Sequence, residues 1–387
     1  MNLKNFEKEK EIGIWRWEKF FSEIPKLKLS LNEGKTSLEK YNFLKNDFFV
    51  KREDKNPTGS HKIRGIAYQI SMEIQNIIEK NQNLDFTIST SGNAGVAVSE
   101  ILREFNKNLY KKNISTIKPI KLFVFVPKFI EERKLIEMQK NPNCIIKICD
   151  EPKKESLMME KRCEAKSIRQ STSPFATEGF KTLAFEIFED APMVENIFFP
   201  VSSGTSMLGT FYGFLDLQKL GIIQKIPNFI AVQTTKVFPI VKEFFNSLDT
   251  ISEDSRIFQN QTSTLKDFNF YKNENIEQNH PASAISDYIC HRKKEIFEQI
   301  RNSLDTISED SRIFQNQTST LKDFNFYQNN KSKFFATAIS SKETFEARKI
   351  LEEKFGLFVS YESALTFSAW QKFGFPKNSV LMSSGKK

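Results

Sequence analysis

No stretch of the 387 residues approaches the roughly 18 consecutive apolar residues that a membrane-crossing helix needs, which predicts no membrane association. The opening, MNLKNFEKEKEIGIW, carries neither an apolar signal core nor Arg/Ser-rich transit character, so a cytoplasmic protein is expected. Histidine occurs only at 61, 280 and 291, and the four cysteines (Cys144, Cys149, Cys163 and Cys290) form no CxxC pair. That scarcity argues against a zinc framework and predicts no metal site, with thiols kept reduced. Neither GxGxxG nor GxxxxGK occurs, which counts against a plain nucleotide-binding protein.

What is present is a globular composition, 39% hydrophobic and 13% aromatic, in a chain long enough for two domains. The net charge of +9 comes from lysines scattered along the chain rather than striped along one face. Lys, Asn, Ile and Phe are enriched throughout, so compositional bias explains the charge and no nucleic-acid partner is expected. Strand-like runs alternate with helical patterns: DFTIST (85–90), KLFVFV (121–126), CIIKI (144–148), NIFFP (196–200) and NFIAV (228–232) are separated by amphipathic segments. This alternation predicts an α/β fold with mostly parallel sheets covered on both faces, and binding loops where strands lead into helices.

One segment, NSLDTISEDSRIFQNQTSTLKDFNFY, occurs at 246–271 and again, letter for letter, at 302–327. Two copies with unrelated flanks cannot stack as solenoid repeats. A recent duplication, or a fault in assembling the sequence, accounts for the identity.

Three loops point to one chemistry. In NPTGSHKIRG (56–65), Pro57 and Gly59 mark a turn, Ser60 is a good N-cap, and helical spacing runs from Ile63 to Ile78. Lys62 therefore falls in the first turn of a helix, where the macrodipole is positive and favours the neutral amine. Such an amine can condense with an aldehyde, although an ordinary surface lysine also fits this position. STSGNAG (89–95) follows a strand and opens a helix; its hydroxyls and N–H groups suit a carboxylate, and Asn93 can donate to a phenolate-like oxygen. SSGTSMLG (202–209) also joins a strand to a helix, and its small hydroxylic residues around Gly204 would cradle a phosphate. A capped polar turn is the plain alternative for either loop. Together an aldehyde trap, a carboxylate loop and a phosphate loop describe pyridoxal phosphate holding an amino acid.

These three stretches, in this order, resemble the signatures of fold-type-II pyridoxal-phosphate enzymes. The wider series GIWRWEKFF, SLNEGKTSL, ATEGFKTLAFEI, PVSSGTSMLGTFYGFLDLQKLG, NFIAVQTTKVFPIV, HPASAISDYI, GLFVSYESALT and VLMSSGKK is similar to the threonine synthase family over nearly the whole chain. The resemblance implies two three-layer α/β/α domains with the cofactor cleft between them: 1–88 with 182–387 binding pyridoxal 5'-phosphate, and 89–181 carrying the substrate loop. It implies Lys62 as the catalytic lysine bonded to the cofactor, His61 beside it, and Asn93 facing the ring oxygen. Ser202, Ser203, Gly204, Thr205 and Ser206 would hold the cofactor phosphate, and Ser383 (or its neighbour Ser384) would face the ring nitrogen. Thr90, Ser91 and Gly92 would hold the substrate carboxylate, with Lys181 a candidate clamp for the leaving phosphate, which a solvated helix lysine would equally explain. The implied partner is a small amino-acid substrate, O-phospho-L-homoserine, and a homodimer is one open assembly.

Some positions depart from the family pattern. Ile63 stands where an acidic residue is usual, which is more like dehydratases and tryptophan synthase β relatives. Ser202 and Thr205 replace glycines, Ser37 replaces a proline, and the end SSGKK is short of TGxGLKD. Residues 302–329 separate a helix and strand that family members join directly, so this copy of the repeat reads as the insertion. A threonine or serine dehydratase of the same fold, or a non-catalytic paralogue, are the remaining readings.

Overall fold

The computed structural model describes residues 3–8, 11–82, 84–111, 118–244, 279–285, 290–304 and 334–386. Apart from 302–304, the inferred insertion lies outside the described residues. Along the chain run β1 (Leu38–Phe43), β2 (Asn46–Arg52), α1 (Lys62–Glu79), β3 (Asp85–Ser89), α2 (Asn93–Lys111), β4 (Leu122–Val126), α3 (Glu132–Gln139) and β5 (Cys144–Ile148). There follow α4 (Pro152–Lys161), β6 (Ala165–Ser167), α5 (Ala176–Asp190), β7 (Asn196–Pro200), α6 (Thr205–Lys219) and β8 (Asn228–Thr234). The described residues end with α7 (Lys293–Leu304), β9 (Phe334–Ile339), α8 (Ser341–Phe355), α9 (Tyr361–Lys372) and β10 (Ser379–Ser383). None of the described helices is long and apolar enough to cross a membrane.

Two compact units emerge: Met1–Thr36 with Glu53–Glu186, and Ser37–Arg52 with Ile187–Lys387. The expected substrate-loop segment, 89–181, lies wholly inside the first, which also takes in the N-terminal residues and α1.

The first unit is built on a four-stranded sheet ordered β5-β4-β3-β6, all neighbours parallel. Its core joins Ile63, Ile66, Ile70 and Ile74 of α1 to Val98, Ile101 and Leu102 of α2 and to the strand residues Phe86, Ile88, Leu122 and Val124. Trp15 closes this core from the N-terminal segment, its indole N–H donating to the Leu29 carbonyl at 2.8 Å. Burial on both faces holds for β3 and β4 but not for β5, one of the two edge strands, where Ile145 and Ile148 are exposed. An edge has a neighbour on one side only, and here neither face is fully covered.

The second unit carries a six-stranded sheet ordered β1-β2-β10-β7-β8-β9, parallel except for the antiparallel β1–β2 hairpin. Every residue of β8, β9 and β10 is buried, as expected for parallel strands covered on both sides. Phenylalanine fills much of this core: Phe199 stacks on Phe229 with ring centres 5.9 Å apart, and Phe211 lies 4.8 Å from Phe334. Each such pair adds about 0.5–1.5 kcal/mol beyond the area it buries.

Candidate active site

Lys62 is the first residue of α1 and is half-buried. Its helix starts one residue later than the Ser60 cap predicts. His61 is the N-cap and makes no side-chain cap bond, while the Ser60 hydroxyl accepts the Lys62 N–H at 3.4 Å. The carbonyl of Lys62 accepts from the Gln170 amide at 3.0 Å, and the His61 ring packs 5.6 Å from Phe180.

Two residues into the helix, Arg64 is fully buried between two carboxylates. Its guanidinium bonds Glu53 at 2.7 and 2.8 Å and Glu186 at 2.9 and 2.6 Å, with Thr182 at 3.0 Å. Glu53 also takes the hydroxyl of Thr36 and the side-chain amide of Asn56, whose Oδ1 accepts the Gly34 N–H at 2.9 Å. The two carboxylates hold the guanidinium charged far above any accessible pH, against the burial that opposes it. This clamp ties the SLNEGKTSL loop, the NPTG turn, α1 and α5 into one rigid seat for Lys62. It is the feature the sequence reading missed; Glu53 and Arg64 are eleven residues apart and Glu186 is distant, so no local motif announces it.

In the same unit the Thr90–Asn93 loop opens α2. Thr90 Oγ1 accepts the N–H groups of Gly92 (3.0 Å) and Gly95 (3.4 Å), so this hydroxyl braces the loop from within. Ser91 is exposed and Asn93 half-buried at the first helical position. The first N–H groups of a helix have no intrahelical acceptor, which leaves a site for an anion. Lys181 is paired within the first unit. Its ammonium meets Glu178 at 3.0 Å and the Phe20 carbonyl at 3.3 Å, with 9% of the residue exposed.

In the second unit the Ser202–Ser206 loop opens α6. Gly204 is the N-cap, with φ of +82°, a left-handed conformation that favours glycine. A Cβ at Gly204 would also lie 2.4 Å from Ile296 Cδ1, so α7 leaves no room behind the loop. The Arg292 N–H donates to the Ser203 carbonyl at 3.2 Å, and the Ser203 and Thr205 hydroxyls are 3.0 Å apart. Thr205 is buried, whereas Ser202, Ser203 and Ser206 are half-buried. Half-buried hydroxyls around the amino end of a fifteen-residue helix suit a phosphate, so the residues present fit the cofactor's anionic tail. Thr205 in place of glycine is accommodated by turning its hydroxyl to Ser203.

Ser383 ends β10 and is buried. Its hydroxyl donates to Ser363 Oγ at 3.4 Å, and the Ser384 N–H donates to the same oxygen at 3.1 Å. Ser363, in the first turn of α9, is a contact that spacing alone does not reveal. The first unit thus holds Lys62, His61, Thr90, Ser91, Gly92, Asn93 and Lys181; the second holds Ser202, Ser203, Gly204, Thr205, Ser206 and Ser383.

The pyridoxal-phosphate dependent enzyme family matches residues 29–269. The threonine synthase of Methanocaldococcus jannaschii is 26% identical over 247 residues, covering 61% of this chain and 57% of that protein. The threonine synthase of Methanosarcina acetivorans is 24% identical over 255 residues, covering 62% and 58%. The chain thus spans less than two thirds of the length of these curated relatives. Among solved structures, a fungal L-serine ammonia-lyase from Rhizomucor miehei superposes with a TM-score of 0.59 at 17% identity, over 92% of this chain and 94% of that one. That likeness shows the α/β fold of this enzyme class. With the family matched over more than half of its length, the chain belongs to the pyridoxal-phosphate dependent enzymes.

Proposed function

We propose that this protein is a threonine synthase, converting O-phospho-L-homoserine and water to L-threonine and phosphate. The observation that carries the reading is the seat of Lys62, held at the start of α1 by the buried Arg64–Glu53–Glu186 clamp within the unit that contains the Thr90–Asn93 loop. The partial similarity to two threonine synthases supports this member of the family over others.

Lys62 would hold the cofactor and would move protons at the substrate's Cα and Cβ as general base and acid. The N–H groups that open α2 would bind the substrate carboxylate, with Asn93 as the donor to the cofactor's oxygen. The Ser202–Ser206 loop would anchor the cofactor phosphate, and the uncharged Ser383 hydroxyl would partner the ring nitrogen. When bound, pyridoxal phosphate withdraws the electrons left behind as the substrate's C–H bonds break. The Cγ–O bond would then break and phosphate leave; Cγ takes up a proton, water adds its hydroxyl to Cβ and gives its other proton to the base, and Cα regains a proton.

A dehydratase of the same fold is the second reading, favoured by Ile63, an apolar residue directly after the lysine. Holoenzyme incubated with O-phospho-L-homoserine or with L-threonine separates the two. Phosphate with threonine from the first substrate supports the synthase; 2-oxobutanoate from the second supports the dehydratase. Absence of both products, with no long-wavelength absorbance that Lys62→Ala abolishes, refutes both and leaves the non-catalytic paralogue.

A further inference from the structure

The substrate of a threonine synthase carries two anionic groups, and the carboxylate loop accounts for one. Lys181, the cation expected from sequence for the other, is engaged by Glu178 and the Phe20 carbonyl. A different lysine lies against the loop. A Cβ built on Gly92 would meet Lys134 Cδ at 2.2 Å, Cε at 3.1 Å and Cγ at 3.3 Å, so the Lys134 stem fills the face that Gly92 leaves open. Gly92 has φ of +138°, and glycine is needed there for the backbone as well as for the space.

The placement is built in from both sides. α3 crosses the start of α2 with Lys134 over Gly92 and, one turn on, Met138 over Gly95, whose Cβ position lies 2.7 Å from the Met138 sulfur. Ser99 Oγ donates to the Met138 carbonyl at 2.9 Å, and the Asn141 amide donates to the Ser99 carbonyl at 2.9 Å. These bonds fix the register of α3 on α2. On α3, Glu132, Arg133 and Ile136 are exposed, whereas the Lys134 side chain is 12% exposed. Its stem therefore lies against the loop as far as Cε, one bond short of the ammonium. Its partner is Glu131 at 2.6 Å, itself 57% exposed. The Glu131 carboxylate stands mostly in water, so the pair contributes little and gives way to a stronger anion.

We infer that Lys134 is a specificity-determining residue that binds the substrate's side-chain phosphate, making the Thr90–Asn93 loop selective for an amino acid with a second anionic group. The inference rests on the threonine synthase reading. It names a group outside the lysine, carboxylate and phosphate motifs, and the cationic clamp moves from Lys181 to Lys134.

The test titrates holoenzyme with O-phospho-L-homoserine and, separately, with the phosphate-free L-threonine, following the absorbance of the bound cofactor. Lys134→Met keeps the aliphatic stem over Gly92 and removes the charge; Lys134→Arg keeps the charge. A charge-assisted hydrogen bond lost on Lys134→Met raises the dissociation constant for O-phospho-L-homoserine by about tenfold or more, while that for L-threonine moves by less than about twofold. Lys134→Arg retains most of the phosphate preference, and neither variant shifts the urea midpoint. Equal weakening toward both ligands means that Lys134 only packs the loop, and overturns the inference alone, as does unchanged binding of O-phospho-L-homoserine. If the wild-type protein fails to respond to O-phospho-L-homoserine, the threonine synthase reading itself falls and takes this inference with it.

Discussion

Arg64 grips Glu53 with two parallel bonds, Nε to Oε2 at 2.7 Å and Nη2 to Oε1 at 2.8 Å, and neither side chain is exposed to water. Two residues earlier in the same turn of helix sits Lys62. The backbone that presents the amine is thus fixed by a charge pair with almost no freedom to tilt.

Removing the guanidinium takes from two buried carboxylates the cation they share, and leaves Glu186 with the Arg16 guanidinium 3.6 Å away. Arg64→Met is expected to destabilise the fold by about 3–5 kcal/mol, read as a lower urea midpoint. Arg64→Lys recovers only part of this, since an ammonium cannot make the forked contact. In both variants the cofactor's long-wavelength absorbance declines at denaturant concentrations well below those that unfold the wild type.

Gly204 tests the proposed role of the Ser202–Ser206 loop in holding the cofactor phosphate. Gly204→Ala places a methyl group against Ile296 and demands a left-handed backbone of alanine. The strain costs about 1–3 kcal/mol, and the dissociation constant for pyridoxal phosphate is expected to rise by about tenfold, measured by fluorescence titration. Combining it with Ile296→Val recovers the steric part of the loss but not the conformational part.

Ser363 accepts from both Ser383 and the backbone of Ser384. Ser363→Ala strips the acceptor from two buried donors and is expected to cost about 1–3 kcal/mol, seen in thermal unfolding. If Ser383 partners the cofactor ring as proposed, loss of the Ser363 contact is expected to shift the cofactor's absorbance maximum at unchanged pH.

Glu33 supplies a pH dependence of defined sign. It is nearly wholly buried, and burial pushes its carboxyl above the usual carboxylate range, against the bonds it accepts from the N–H groups of Ile14 and Leu31 and the Ser30 hydroxyl. A carboxyl raised in the folded state binds its proton more tightly there than in the unfolded chain. Its stabilising contribution is therefore complete below the unfolded value of about 4.3 and is lost as pH rises through the raised folded value. The stability of wild type relative to Glu33→Gln is expected to fall across that interval in urea titrations; a flat difference would contradict it.

The alternating strands and helices and the three loops were legible because each depends on local pattern: buried runs such as NIFFP, helical spacing from Ile63, and small residues where a strand turns into a helix. The β1–β2 hairpin was not. Its two-residue turn places Leu44 and Lys45 at φ of +50° and +66°, where asparagine and glycine are the usual signal, so nothing in the letters marks it. Burial decided the two lysines in the same way. Lys181 faces inward onto Phe20 and Glu178, and Lys134 reaches Gly92 because α3 packs on α2. Both facts follow from tertiary packing, which spacing along one helix cannot express. The Ser60 cap was misplaced by one residue because His61 adopts helical backbone angles without offering a side-chain cap.

The position of β10 has a consequence for how the chain comes together. It is the last strand of the described chain, yet it lies between β2 and β7 near the middle of the six-stranded sheet, with Ser379 beside both Phe48 and Asn196. Until residues 379–383 leave the ribosome, the β1–β2 hairpin has no neighbour to join and the β7–β8–β9 trio keeps a raw flank. Assembly of this sheet therefore waits on β10, and a nascent chain stalled before Ser379 presents two open edges to chaperones.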